Sequence, residues 1–168
     1  MELPSLLTVL GSPITNNIIL FGGVWATIRT IKHTRTIAKQ KETALLLFHA
    51  RTDNGLRDGY RVIRELHCCS TDNIVSYATD PDKKGTDKAD KIRYVLNHWE
   101  RIAICVEHQI YCEKILKESN YTSVVNIFEQ AEPFIRALRR DANTETIYQD
   151  LECMVKRWRS APLTKRSL

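Results

Sequence analysis

The residue types best suited to chemistry gather in four places along this 168-residue sequence. Cys105, His108 and Cys112 fall at i, i+3 and i+7, one helix face, and His67-Cys68-Cys69 could approach from a neighbouring helix; these types suit zinc. Distance argues against it. At 1.5 Å per residue, Cys105 and Cys112 lie about 10 Å apart along a helix, whereas zinc ligands sit about 2.0–2.3 Å from the ion. No C-x-x-C pair is present, so core thiols and surface histidines are expected and no metal site. Asp80, Asp82 and Gly85 begin like a calcium loop, but Lys84 and Lys91 occupy its fifth and twelfth places, and the twelfth needs a bidentate carboxylate. A solvated loop is expected there.

Basic residues form the third group. Arg136, Arg139 and Arg140, then Lys156, Arg157 and Arg159 around Trp158, could meet phosphates or an anionic lipid leaflet. A solvated helix face is the plainer expectation, and nucleic acid is not expected as a partner. The fourth group is Asn97, Glu100 and Arg101, at i, i+3 and i+4 beside the apolar residues Leu96, Trp99, Ile102 and Val106. A charge next to a buried face needs a partner, so a structural polar network is expected. The alternative is that Glu100 is an acid–base group in a polar pocket, but no His, Ser or metal ligand is fixed beside it. There is no G-x-S-x-G, P-loop or G-x-G-x-x-G. No catalytic residue and no cofactor follow from the sequence, and a non-enzymatic protein is expected.

The elements that must position these residues read as helix after helix. The composition, 43% hydrophobic and 27% charged with a net charge of +5, is that of a folded chain and not of a disordered one. Leu56, Tyr60, Ile63 and Leu66 recur at helical spacing, and residues 72–90 read as an exposed loop. Ile92, Val95, Leu96, Trp99, Ile102, Ala103, Val106 and Ile110 make the longest stripe and mark a central helix, which Ile115-Leu116 closes or follows with a short turn. Val124, Phe128, Ala131, Ile135 and Leu138 mark another helix, containing Pro133. Ile147, Leu151, Val155 and Trp158 mark the last one, with Asn143 or Thr144 as its cap. The fold class is all-α: a bundle of four to six helices over residues 53–160, with a flexible tail at 161–168.

The amino-terminal part is different. No Asp, Glu, Lys or Arg occurs from Leu3 to Ile28, and about 20 mainly apolar residues suffice to cross a bilayer. A transmembrane helix over 13–31 is expected, after a short external segment 1–12. Asn16 and Asn17 place amides in it, and Gly22 and Gly23 would allow close helix packing. Arg29, Lys32, Arg35, Lys39 and Lys41 follow, with Glu42 the single acid of the flank, and give a basic helical stalk over 32–52. The positive-inside rule then leaves the N-terminus outside and the body of the chain in the cytoplasm, where the five cysteines would stay reduced. A cleaved signal, a buried core helix and an interfacial helix are the competing readings.

At the central helix the sequence resembles a known family. Leu96-Asn97-His98-Trp99-Glu100-Arg101-Ile102-Ala103-Ile104, Gln109-Ile110-Tyr111, Pro133-Phe134-Ile135 with Arg139, and Tyr148 with Trp158 resemble the small bacterial and phage membrane proteins catalogued as domain of unknown function 4760. The resemblance implies one N-terminal membrane helix, a basic stalk and a helical cytoplasmic region with an L-N-x-x-E-R-I-A core. Gln109 stands where that family often has glycine, and Cys112 where it often has an acid. No activity comes with the resemblance. The expected role is a membrane-anchored interaction or effector module of the inner membrane. It is expected to be phage- or prophage-encoded, involved in phage–host conflict and homo-oligomeric, with an unidentified protein as a further partner. A pore-forming oligomer and a soluble nucleic-acid-binding regulator are the alternatives.

Overall fold

A computed structural model describes residues 13–69 and 71–164, with side chains from residue 20 onward. Among these residues there are seven helices and no strand: α1 (Pro13–Thr52), α2 (Asn54–Cys68), α3 (Ser76–Thr79), α4 (Pro81–Lys84), α5 (Asp87–Glu107), α6 (Glu113–Ala142) and α7 (Gln149–Ser160). The all-α class is as expected. The chain divides into two units, residues 1–39 and 40–168. The expected external segment 1–12, the side chains of Asn16 and Asn17, and tail residues 165–168 lie outside the described residues.

In the first unit, Leu20, Phe21, Val24, Trp25, Ile28 and Ile31 are all exposed. Thr27, Thr30 and Thr34 return their hydroxyls to the carbonyls of Gly23, Ala26 and Thr30, at 2.8, 2.9 and 2.9 Å. Among the described residues no helix is long and apolar enough to cross a membrane. Glycines, threonines and the cations from Arg29 onward dilute the apolar heart, so the expected span 13–31 does not follow from its own hydropathy.

The second unit begins earlier than the expected boundary at 53. Thr43 is fully buried, its hydroxyl accepts the Cys112 N–H at 2.8 Å, and Leu46, Leu47 and Ala50 pack against the core. Residues 40–52 are therefore part of the body and not of a free stalk. Asp53 ends α1 and starts α2, its carboxylate accepting the Leu56 N–H at 3.0 Å as an N-cap. α2 then lies close against α5. A Cβ at Gly59 would stand 2.4 Å from Val95 Cγ2 and 2.6 Å from the Lys91 carbonyl oxygen, so the approach requires glycine.

The exposed loop expected at 72–90 is corrected. Ile74, Tyr77 and Ala78 share one helical face, and burying it folds the segment into α3 and α4, while Ala89 already lies in α5. α5 is the central helix, burying Ile92, Val95, Leu96, Trp99, Ile102, Ala103 and Val106. Ile110 falls beyond its end and is exposed. The end is a Schellman turn: the Ile110 N–H donates to the Cys105 carbonyl at 2.8 Å and the Gln109 N–H to Val106 at 2.9 Å. Gln109 takes φ 59°, the left-handed position that glycine fills at least cost. Ile115-Leu116 do not close α5 but belong to α6, whose 30 residues carry Pro133 internally.

Candidate functional site

α7 explains Glu100. The first N–H groups of a helix have no intrahelical acceptor. Asn143, expected to cap α7, instead ends α6 in the left-handed conformation at φ 47°, and the Thr144 N–H donates to the Arg139 carbonyl at 3.0 Å. Tyr148 precedes α7 at φ 57° with no side-chain cap hydrogen bond. The acceptors come from α5: Glu100 Oε2 takes the Leu151 N–H at 2.8 Å and Oε1 the Asp150 N–H at 3.3 Å. Burial raises the Glu100 pKa above its ordinary value, against the lowering effect of these two amides. The far end of α7 is held in the same manner. Trp158 Nε1 and Arg157 Nε donate to Glu113 Oε1 in the first turn of α6, at 2.9 and 3.0 Å.

The motif thus splits. Glu100 joins α5 to α7, whereas Asn97 and Arg101 are exposed, and the expected network of the three does not form. Leu96, Trp99, Ile102 and Val106 are core. Trp99 Nε1 donates to the Tyr60 hydroxyl, and burial pushes the Tyr60 pKa up to about 12. His98 packs edge-on to Trp99, with its Nε2 buried and unpartnered among the described residues. Burial, and then the Arg101 charge, lowers the His98 pKa.

Among the described residues no group of three His, Cys, Asp or Glu side chains could hold a metal ion. Cys105 and Cys112 are half-buried and His108 is exposed. In the first unit Arg29, Lys32 and Arg35 are exposed, and the Arg29 guanidinium lies 5.2 Å from the Trp25 ring centre. Lys39 is half-buried and Lys41 is exposed.

Four of the carboxy-terminal arginines face carboxylates. Arg139 pairs with Glu152 at 2.7 Å, Arg136 with Glu132 at 2.6 Å, Arg157 with Glu113 at 3.0 Å, and Arg159 with Glu129. Arg140 makes no ion pair among the described residues, and neither do Arg57 and Arg64, which lie in a groove of about 640 Å³ between α2 and α6. Arg57, Arg61 and Arg64 line one wall, amides including Asn126 and Gln130 line the other, and Tyr60 is at the base. Sequence reading missed this groove. The i, i+4, i+7 spacing of its arginines is visible beside the Leu56–Tyr60–Ile63 stripe, but the facing amide wall lies far along the chain, on α6, and carries no pattern of its own.

Fold and site together define a class: an all-α helical module, closed by carboxylates that tie its last helix down, with a basic groove between α2 and α6. The particular family follows from sequence comparison. The chain belongs to the family described as a domain of unknown function, DUF4760, whose model matches residues 17–158. No curated protein matches it, and no solved structure does.

Proposed function

We propose that this protein is a membrane-anchored, non-enzymatic helical interaction module, held in the bilayer by α1 as a homo-oligomer. The exposure of the bulky apolar residues from Leu20 to Ile31 carries the reading. At 3.6 residues per turn Leu20, Val24, Ile28 and Ile31 share one face, flanked by Phe21 and Trp25. Gly22, Ala26 and Thr30 lie on the opposite side, and Gly23 and Thr27 continue it round toward Leu20. A Cβ at Gly22 or Gly23 would meet nothing within 4 Å, so their smallness serves no packing inside the first unit. Small residues with hydroxyls bonded to their own helix suit close contact with a second helix in lipid. Self-association therefore supplies what the hydropathy of one helix lacks: the weakly apolar face turns inward and the bulky face meets lipid. Arg29, Lys32 and Arg35 keep the following residues on the cytoplasmic side.

The test is fractionation of the full chain with cross-linking in native membranes. The protein should resist carbonate extraction, need detergent for release and give an oligomer ladder that Gly22→Ile/Ala26→Ile abolishes. Release by carbonate would refute the anchor. An unchanged ladder in the double variant would refute the small-residue contact.

A further inference from the structure

We propose that the groove between α2 and α6 is a nucleotide-binding site, with the phosphates held by Arg57 and Arg64 and the base read by the Asn126 and Gln130 amides. The groove lies in the second unit and the proposal is independent of the membrane anchor. Its lining includes three arginines and no carboxylate. Arg61 is partly neutralised by Asp58 at 3.2 Å and Glu65 at 3.9 Å, while Arg57 and Arg64 make no ion pair among the described residues. That sets them apart from the arginines of α6 and α7 that face carboxylates. Arg64 follows Arg57 by seven positions, about 10 Å along one helix face. Two long guanidinium side chains at that spacing can converge on adjacent phosphates, and each offers the paired N–H donors that phosphate oxygens accept.

The facing wall supplies different chemistry. Asn126 and Gln130 stand one helical turn apart on α6 and make no side-chain hydrogen bond among the described residues. A carboxamide presents a donor and an acceptor side by side, the pattern that matches the edge of a base. At the base of the groove the Tyr60 oxygen already accepts the Trp99 N–H, which leaves its own proton to donate to a ligand. The volume, about 640 Å³, lies in the range of small-molecule sites. A long nucleic acid fits less well. The unpaired cations extend for about two phosphates, and the acids Asp58 and Glu65 interrupt the same helix.

The experiment is calorimetric titration of the full detergent-solubilised chain with ATP, GTP, CTP and UTP, with inorganic pyrophosphate and with a single-stranded oligonucleotide. At least one nucleoside triphosphate should bind more tightly than pyrophosphate. Arg57→Gln/Arg64→Gln should weaken both at least about 100-fold, roughly tenfold for each arginine whose charge-assisted hydrogen bonds to phosphate are removed. Both arginines are exposed, so the melting transition should not move. Asn126→Leu/Gln130→Leu should weaken the nucleotide about tenfold and leave pyrophosphate unchanged. Absence of binding at millimolar concentration, or binding indifferent to the arginine pair, would overturn the site. Pyrophosphate binding as tightly as every nucleotide would overturn the base-reading wall. An oligonucleotide binding more tightly than any mononucleotide through the same arginines would replace the proposal with a nucleic-acid surface.

Discussion

Replacing Glu100 by alanine removes both acceptors that α7 has for its first free amides, those of Asp150 and Leu151. Loss of an N-cap costs about 1 kcal/mol. The interaction of a partly buried carboxylate with the helix terminus contributes up to about 2 kcal/mol more. Part of that is returned, because burial of Glu100 already disfavours its charged form, as its raised pKa records. A net loss of about 2 kcal/mol results. Leu151, Met154, Val155 and Trp158 remain buried against the core, so α7 should loosen at its start before it detaches. Glu100→Gln keeps one side-chain oxygen and should lose about half as much. Arg101→Ala, at an exposed position, should stay within about 0.5 kcal/mol of the parent. Thermal melting of the full chain should show Glu100→Ala lowered by roughly 5–10 °C. Hydrogen exchange should show the Asp150 and Leu151 amides losing protection first. An alanine variant with unchanged melting and unchanged exchange at those two amides would refute the capping role. Equal losses from Glu100→Ala and Arg101→Ala would restore the charge network the sequence suggested.

Gly59→Ala should destabilise by about 1–3 kcal/mol by overpacking, since its Cβ would fall 2.6 Å from the Lys91 carbonyl oxygen; denaturant titration measures it. Gln109→Gly should raise the melting temperature, gaining about 0.5–1 kcal/mol once relief of the left-handed strain is set against glycine's entropy; a drop would refute the strain argument. Trp99→Ala should cost about 3–5 kcal/mol in chemical denaturation, as truncation of a large core side chain does, and an unchanged midpoint would place Trp99 outside the core. The His98 pKa is lowered in the fold, so the unfolded chain takes up its proton first as pH falls. Its contribution to stability is thus complete above about pH 6.5 and is lost as pH drops through the folded pKa. NMR titration of the His98 ring should give a pKa below that of an exposed histidine, and an unshifted titration would refute the effect of its burial.

How much was legible depends on whether one helix carries the pattern alone. The α5 stripe was visible because every buried residue from Ile92 to Val106 repeats at helical spacing. α3 and α4 were not, because four residues each are too few to show a period, and Asp80-Pro81 together with Gly85 reads locally as a turn. Asn143 is a good residue both for starting a helix and for ending one. The sequence suggested the first use, and the left-handed backbone that closes α6 shows the second. Glu100 was marked as needing a partner, but its partners are backbone amides 50 and 51 residues further on, and backbone has no sequence signature. That Gln109 occupies a backbone position suited to glycine becomes visible only with φ known.

The two-ended fastening of α7 also bears on how the protein is made. α5 and α6 leave the ribosome before α7, so Glu100 and Glu113 emerge ahead of the amides and the indole that will satisfy them. Until Leu151, Met154, Val155 and Trp158 arrive, the trench they will fill is open, apolar and flanked by two carboxylates. Adding the chain through Trp158 closes the trench and satisfies both acids together, so the last helix completes the body of the fold and is not an appendage to it.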